Sequence, residues 1–391
     1  MSDKKRDVIV VGAGPAGSIC AAYLAKAGVD VLLLEKESLP RDKACGDIQR
    51  EGIVRHMERL GAVADLDSMS TCIRNVQLMG SDGSETLIPF ECYCAPRADL
   101  DKLLADTAVK HGAELRENCR VTDVIIEQGC AAGVRAAFRG EETELRSSIV
   151  IAADGAFSAS AGALGIMEEK PSGMWIGERA YFRGVKLDRM LAKSQYDAYG
   201  IFAFDKRVSP GWFWIMPVGK DGVKNGICNV GAVMNSRDAF RGERLRDRFS
   251  GWVGGSRRIS AMFENAQQIS PWKGGRFPDI TQGTRKAGSG FMMIGDAASL
   301  TMPLSFDGIS EAADSARAAA RAAQAALRKN DVSEAMLMAQ YKKALVTRSE
   351  EELTESLKET RLLMESMYDP GLMNRIIRKL ENDPVYRSRH L

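Results

Sequence analysis

The run Asp7-Val8-Ile9-Val10-Val11-Gly12-Ala13-Gly14-Pro15-Ala16-Gly17 constrains the fold more than any other stretch. Val8 to Val11 are all β-branched, which reads as a strand buried on both faces of a parallel sheet. Gly12, Gly14 and Gly17 follow with G-x-G-x-x-G spacing at the strand exit. The pattern predicts a helix from about Pro15 to Lys26, closed by Gly28. A second buried strand, Asp30 to Leu34, ends on Glu35. In such a unit Gly12 permits the tight turn, Gly14 lets a pyrophosphate approach the backbone, and Gly17 lets helix pack on strand. The helix N-terminus offers N–H groups and a positive dipole end to phosphates. Glu35 stands where a carboxylate accepts from ribose hydroxyls. These parts occur in the expected order, so a dinucleotide site outweighs a chance glycine turn and a solvated strand-end charge.

Bulk properties exclude several classes. The 391 residues suffice for two packed domains, and a formal charge of +2 does not call for nucleic acid. Eight cysteines are scattered without a CxxC, and no secretory signal precedes the first strand, which points to reduced thiols in the cytoplasm. The last cysteine is Cys228, so the C-terminal third cannot ligate an iron–sulfur cluster through cysteine. His56, His111 and His390 lack metal-site spacing, and no metal is expected. No apolar run reaches the roughly 18–20 residues of a spanning helix. Membrane contact is therefore expected to be peripheral at most.

Along the chain, Arg41-Asp42-Lys43-Ala44-Cys45-Gly46-Asp47 packs cations, a thiol, a glycine and acids into a loop beside the dinucleotide site. A helix is expected from Gln49 to Leu60, and strands at Ile73–Met79 and Glu85–Phe90. Arg97 opens a helix that Gly112 ends, with an apolar stripe at Leu100, Leu103, Leu104 and Ala108. An arginine disfavours that end of the dipole, so it reaches either a cofactor or a surface salt bridge. Strands follow at Val121–Glu127, Ala131–Phe138, Glu144–Leu145 and from Ser148 to Asp154-Gly155.

From 170 to 280 the chain turns aromatic and reads as a mainly antiparallel sheet facing a ligand. Strand alternation puts Trp212, Trp214 and Met216 on one face, serving equally as a substrate wall or a core. Phe291 to Ile294 is a further buried strand, ending at Gly295-Asp296. An alanine-rich helix is expected from Ser310 to Lys329, aimed at whatever Pro303–Ile309 surrounds. The tail is helical, with Asp369 as N-cap, Pro370 at N1, and an apolar face of Leu372, Met373, Ile376, Ile377 and Leu380 expected to pack on the body rather than lie on a membrane surface.

Three strand-end signals thus coexist, with one glycine motif. A cofactor held from such distant parts of the chain is large, and FAD fits. Gly12, Gly14, Gly17 and Glu35 hold its ADP half, and Asp296 accepts from its ribityl chain. Gly308 and Ile309 offer backbone N–H groups to the flavin edge, whose reduced charge the following helix dipole stabilises.

These residues resemble the geranylgeranyl reductase family, within the para-hydroxybenzoate hydroxylase-like flavoproteins, over residues 7–330. Arg41-x-Lys43-x-Cys45-Gly46 is similar to the family's R-x-K-x-C-G loop. Trp212-x-Trp214-x-Met216-Pro217 resembles its Y-x-W-x-F-P motif, with Trp for Tyr and Met for Phe. Gly295-Asp296-Ala297-Ala298, Pro303 and Gly308-Ile309 match its G-D-A-A … P-x-x-G-x-G-I segment. Phe306 and Asp307 stand where the family has glycine and a glycine or glutamate before Gly308, and Ala161 stands where the wider class often has Arg.

The resemblance implies an α/β fold: a Rossmann-type FAD-binding domain, an inserted mainly antiparallel substrate domain and a helical C-terminal region. The expected partition is 1–71, 96–169 and 281–330 for FAD, 72–95 and 170–280 for substrate, and 331–391 for the tail. It extends the cofactor set to Ala13, Pro15, Ala16, Lys36, Arg41, Cys45, Gly46, Arg97, Val121, Asp154, Gly155 and Pro303. Trp212, Trp214, Met216 and Phe306 are the expected substrate contacts. The implied activity is saturation of isoprenoid double bonds: hydride from reduced flavin to one carbon, a proton to the other. Cys45 is the family-matched proton donor, with Asp47 and Asp307 as rivals. The implied electron donor is NAD(P)H or a ferredoxin-like protein, and the chain a monomer or homodimer. W-x-W-x-x-P is also similar to a flavin halogenase motif, which keeps monooxygenase or halogenase chemistry open. An electron-transfer module feeding quinone is the third reading.

Overall fold

The structure is a computed structural model that describes residues 4–166, 174–187, 198–235, 243–278, 286–300, 308–345, 365–366 and 369–386. The first strand, Arg6–Val11, lies inside a parallel sheet with its last four residues buried, as its β-branched run requires. Val31–Leu34 pairs with it on one side and Glu141–Ala152 on the other. Phe291–Met293 and Glu114–Arg116 extend the sheet, also in parallel. The helix Pro15–Lys26 follows the glycine turn directly and packs against Gly308–Lys329 and Arg97–Lys110.

The strands expected separately at 144–145 and from 148 are one, Glu141–Ala152. Its first half pairs antiparallel with the hairpin strand Cys130–Phe138, and its second half runs parallel to the first strand. The charges at Glu141, Glu142 and Glu144 hid this continuity, because they lie on the half that faces solvent.

A second sheet is antiparallel except at one junction. Met174–Arg183, Cys228–Asn235, Gly211–Pro217 and Tyr199–Ala203 are successive neighbours. Tyr199–Ala203 then pairs in parallel with Thr71–Met79, which pairs with Glu85–Cys94. The latter strand runs four residues beyond the expected Phe90, because Cys94 and Tyr93 pair with the short strand Ile48–Gln49. That pairing takes Gln49 out of the following helix, which begins at Glu51. The aromatic sheet thus carries a strand from directly after the Arg41–Asp47 loop.

The two faces of this sheet differ. Phe213, Ile215, Phe249 and Trp252 fill the core under the helices Leu245–Gly255 and Arg257–Phe263. Trp175, Trp214, Met216 and Val233 fill the opposite side, where the C-terminal helix Pro370–Asn382 adds Met373 and Ile377. The Asp369 carboxylate caps that helix, Met373, Ile377 and Leu380 are buried, and Leu372 and Ile376 are half-buried. The helix expected from Ser310 starts two residues earlier, at Gly308. Glycine at 52 lets the helix Glu51–Leu60 approach it closely: a Cβ there would sit 2.4 Å from the Ser310 side chain. Among the described residues, no helix is long and apolar enough to cross a membrane.

Candidate active site

The glycine turn separates what the protein needs for itself from what it leaves for a ligand. Gly12 has φ +99°, and a Cβ there would sit 2.6 Å from the Ala153 carbonyl. A Cβ on Gly17 would fall 1.8 Å from the Gly12 carbonyl oxygen, so helix and strand touch only because it is absent. Gly14 differs: its nearest neighbour would be Arg41 Nη2 at 3.9 Å. Among the described residues no packing requires glycine at that position. It is also the N-cap of Pro15–Lys26, and no side chain caps that helix start. An open glycine beside uncapped N–H groups is a cradle for a pyrophosphate, and the residues fit the ADP half of FAD.

Glu35 is 2 % exposed, so it is no solvated strand end. Its Oε2 accepts from Ala13 N at 3.1 Å and Arg41 Nη2 at 3.0 Å, and its Oε1 from Glu37 N at 3.1 Å. Oε1 keeps capacity for a further donor such as a ribose hydroxyl. Arg41 also reaches Asp101 at 2.8 Å, bridging two carboxylates. Burial works against the Arg41 charge, but Glu35 and Asp101 outweigh it and hold the guanidinium ionised.

Several separated motifs converge here. Lys43 Nζ lies 3.9 Å from Asp296 Oδ2, and a Cβ on Gly155 would be 4.0 Å from the same nitrogen. Gly295 has φ +58°, donates to Ser315 Oγ at 3.1 Å, and lies where Ala16 and Ala312 meet. Asp154 instead turns inward, accepting from Ser158 Oγ at 2.5 Å and Ser160 N at 3.0 Å, so it braces its own loop. Val121 is buried under the hairpin, Pro15 and Ala16 lie in the buried helix start, and Lys36 is exposed. Gly308 and Ile309 open the long helix. Pro303, Phe306 and Asp307 lie outside the described residues.

Arg97 is neither a surface salt bridge nor free to reach outward. It is 4 % exposed and grips Asp101 through Nε at 2.7 Å and Nη2 at 2.8 Å, an i,i+4 pair along its helix. Its charge also acts on Cys45. Burial opposes its charge, but Asp101 and Cys45 keep it firmly protonated.

Cys45 retains some exposed surface beside Gly46. Burial pushes its thiol up, against the pull of the Arg97 charge and the Asp47 backbone beside it. The result is a neutral thiol with the Arg97 cation placed to stabilise its conjugate thiolate.

Asp47 is sealed at 0 % exposure, with φ +61°. Its Oδ2 accepts from Tyr181 Oη at 2.5 Å and Asn229 Nδ2 at 2.8 Å, and its Oδ1 from Arg97 N at 3.3 Å. Burial pushes the carboxyl up to about 6, against Tyr181, Arg179, Asn229 and Arg97. The folded chain therefore holds a proton between about pH 4 and 6 that the unfolded chain has released. That stabilisation is fully present below about pH 4 and is lost as pH rises through about 6. About two pH units correspond to about 3 kcal/mol. Asparagine tolerates the positive φ. Relative to Asp47→Asn, wild type should lose about 3 kcal/mol of unfolding free energy between pH 4 and 7. Denaturant melts across that range check this, and a constant difference would assign Asp47 an ordinary acidity.

Trp214 is 7 % exposed, donates Nε1 to Asn229 Oδ1 at 2.8 Å, and lies where a Cβ on Gly231 would meet its ring at 2.4 Å. Met216 is fully buried, in the space that Gly200 leaves. Trp212 is half-buried, edge-on to Phe202 with centroids 6.4 Å apart and tilted against Phe204. The three share a face as their alternation requires, but Trp214 and Met216 are mainly core, and Trp212 is the accessible ring.

Asp101, Arg179, Tyr181 and Asn229 escaped the sequence reading. Asp101 was signalled by its i,i+4 spacing from Arg97. Asn229 was signalled as the one amide in the apolar run Cys228–Met234. Nothing local marked Tyr181, whose partner is 134 residues away.

Comparison with known proteins agrees with this geometry. The family described as "FAD binding domain" matches residues 5–349. The digeranylgeranylglycerophospholipid reductase of Methanosarcina acetivorans is 30% identical over 354 residues, covering 86% of this chain and 79% of that protein. The menaquinone reductase of Mycolicibacterium smegmatis is 29% identical over 332 residues, covering 81% and 76%. A crystal structure of a geranylgeranyl bacteriochlorophyll reductase-like protein from Thermoplasma acidophilum superposes with TM-score 0.80 at 22% identity, covering 99% and 98%. A flavin-dependent brominase shares the fold at TM-score 0.74 and 22% identity, covering 99% and 98%. The α/β fold joins a Rossmann-type FAD-binding sheet to an inserted, mainly antiparallel sheet with C-terminal helices. The chain belongs to the geranylgeranyl reductase family of FAD-binding flavoproteins and is an FAD-dependent oxidoreductase.

Proposed function

We propose that the protein saturates carbon–carbon double bonds of an isoprenoid chain carried by a lipid or quinone. The observation that carries this reading is the Cys45 thiol, neutral, partly accessible, and beside the Arg97 cation. It stands on the loop that joins the FAD cradle to the aromatic sheet. Bound FAD, once reduced, supplies the hydride. Cys45 gives its proton to the second alkene carbon, and Arg97 then stabilises the thiolate. Asp47 accepts hydrogen bonds from three donors and has no exposed surface, so it serves as a brace rather than the donor.

Arg41 and Glu35 fix the cradle's rim, and Asp296 and Lys43 lie where the ribityl chain would pass. The proposed partition into an FAD domain, a substrate domain and a helical tail follows the two sheets, with Ile48–Gln49 crossing between them. The relatives named for a phospholipid and for menaquinone support an isoprenoid tail rather than one headgroup. Such a substrate would bring a cytoplasmic protein to a membrane surface. NAD(P)H or a ferredoxin-like carrier supplies the electrons, and the flavin reduction rate with each separates the two.

Trp212 holds the apolar chain. Trp212→Ala should raise KM for a long isoprenoid several-fold and leave FAD content unchanged. Trp214→Ala should instead cost about 3–5 kcal/mol of stability, as a deleted core indole does. Loss of FAD in Trp212→Ala, without selective kinetics, would return this ring to the core. The W-x-W-x-x-P match and the brominase fold favour halogenation as the second reading. Halide-dependent product from the aerobic enzyme would establish it.

A further inference from the structure

The loop 41–47 and the substrate sheet are joined by a chain of polar contacts that the proposed chemistry does not use. Trp214 Nε1 donates to Asn229 Oδ1 at 2.8 Å. The Asn229 amide nitrogen donates to both Cys45 O and Asp47 Oδ2, each at 2.8 Å. Tyr181 Oη donates to the same Oδ2 at 2.5 Å. Beneath them Arg179, 1 % exposed, stacks 4.4 Å over the Tyr181 ring. Its Nη2 donates to Asp42 and to Lys43 O, while among the described residues its buried Nε and Nη1 have no acceptor.

Buried polar groups rarely stand in an aromatic sheet unless they are satisfied. Here Asn229 uses both amide hydrogens and its oxygen, all between one loop and one indole. Every contact to Asp47 comes from a donor, so the arrangement is written for its ionised form. A proton on Asp47 would displace one of them. The charged and titratable groups facing Asp47 are Arg97 from its helix, Arg179 and Tyr181 from strand Met174–Arg183, Cys94 from Glu85–Cys94, and Cys45 on its own loop. Arg179 supplies fixed positive charge, held ionised by Tyr181, Asp42 and Asp47 against burial.

We propose that Tyr181, Asn229 and Arg179 are positioning residues: Tyr181 and Asn229 hold the Asp47 carboxylate, Arg179 holds Asp42 and the Lys43 carbonyl, and together they tie the Cys45 loop to Trp214, so that cofactor loop and substrate wall move as one unit. The role of Cys45 and the tryptophan face in alkene reduction is the reading on which its functional meaning rests.

Tryptophan fluorescence of the FAD-loaded protein, titrated from pH 4.5 to 8, tests this without turnover. Wild type should show a transition near pH 6, the value to which burial pushes Asp47. The transition should vanish in Asp47→Asn and in Trp214→Phe. Tyr181→Phe removes one donor to the carboxylate and should move the midpoint up by about 1–2 pH units. Flavin absorbance confirms that each variant is folded. A transition that survives in Trp214→Phe, or whose midpoint is unmoved in Tyr181→Phe, would overturn the proposal. Alkene turnover of wild type is measured separately. Its absence, with the fluorescence pattern intact, would overturn the reductase reading and leave the coupling standing.

Discussion

Gly14→Ala should fold as stably as wild type and emerge nearly free of flavin. Among the described residues the added methyl would meet no atom closer than Arg41 Nη2 at 3.9 Å, so their packing has no reason to object. It would occupy the space in front of the uncapped helix start, where a pyrophosphate oxygen takes backbone N–H groups. Losing one charge-assisted hydrogen bond costs about 1.5–3 kcal/mol, or about 10- to 150-fold in affinity. Gly17→Ala makes the contrast. Its methyl would lie 1.8 Å from a backbone oxygen, which cannot swing aside, so this variant should lose stability before affinity is in question. Thermal melts with and without added FAD, and isothermal titration of Gly14→Ala, separate the two effects. Full FAD affinity in Gly14→Ala would place the cofactor elsewhere.

Cys45→Ser should leave flavin binding and flavin reduction intact and slow alkene-dependent reoxidation by about 10²–10⁴-fold, the range for a lost general acid. The serine hydroxyl keeps the size of the side chain but is a far weaker acid than the thiol. Arg97 would then face an alkoxide that does not form. Stopped-flow traces of each half-reaction, begun from dithionite-reduced protein, isolate the step. Equal reoxidation rates would move proton donation to another group.

Local and periodic features were legible in the sequence. The β-branched run, the glycine spacing and Glu35 describe a unit that closes on itself within about 30 residues, and the structure keeps every part. The face shared by Trp212, Trp214 and Met216 followed from strand alternation, but which of them stays accessible did not. That depends on Gly200 and Gly231, which open room for Met216 and Trp214 from neighbouring strands. That Arg97 is buried and not in a surface salt bridge was not legible, because part of its surroundings is tertiary: Cys45 arrives from a loop about 50 residues away. Asp47, Tyr181 and Asn229 meet only because Ile48–Gln49 pairs into the second sheet, an edge too short to announce itself.

Mixing anaerobic, dithionite-reduced wild-type protein with an isoprenoid alkene lipid tests alkene reduction itself. The flavin should reoxidise with one double bond saturated per flavin. Flavin that stays reduced with the alkene, yet reoxidises with oxygen to give a hydroxylated or halogenated product, would contradict the reductase reading.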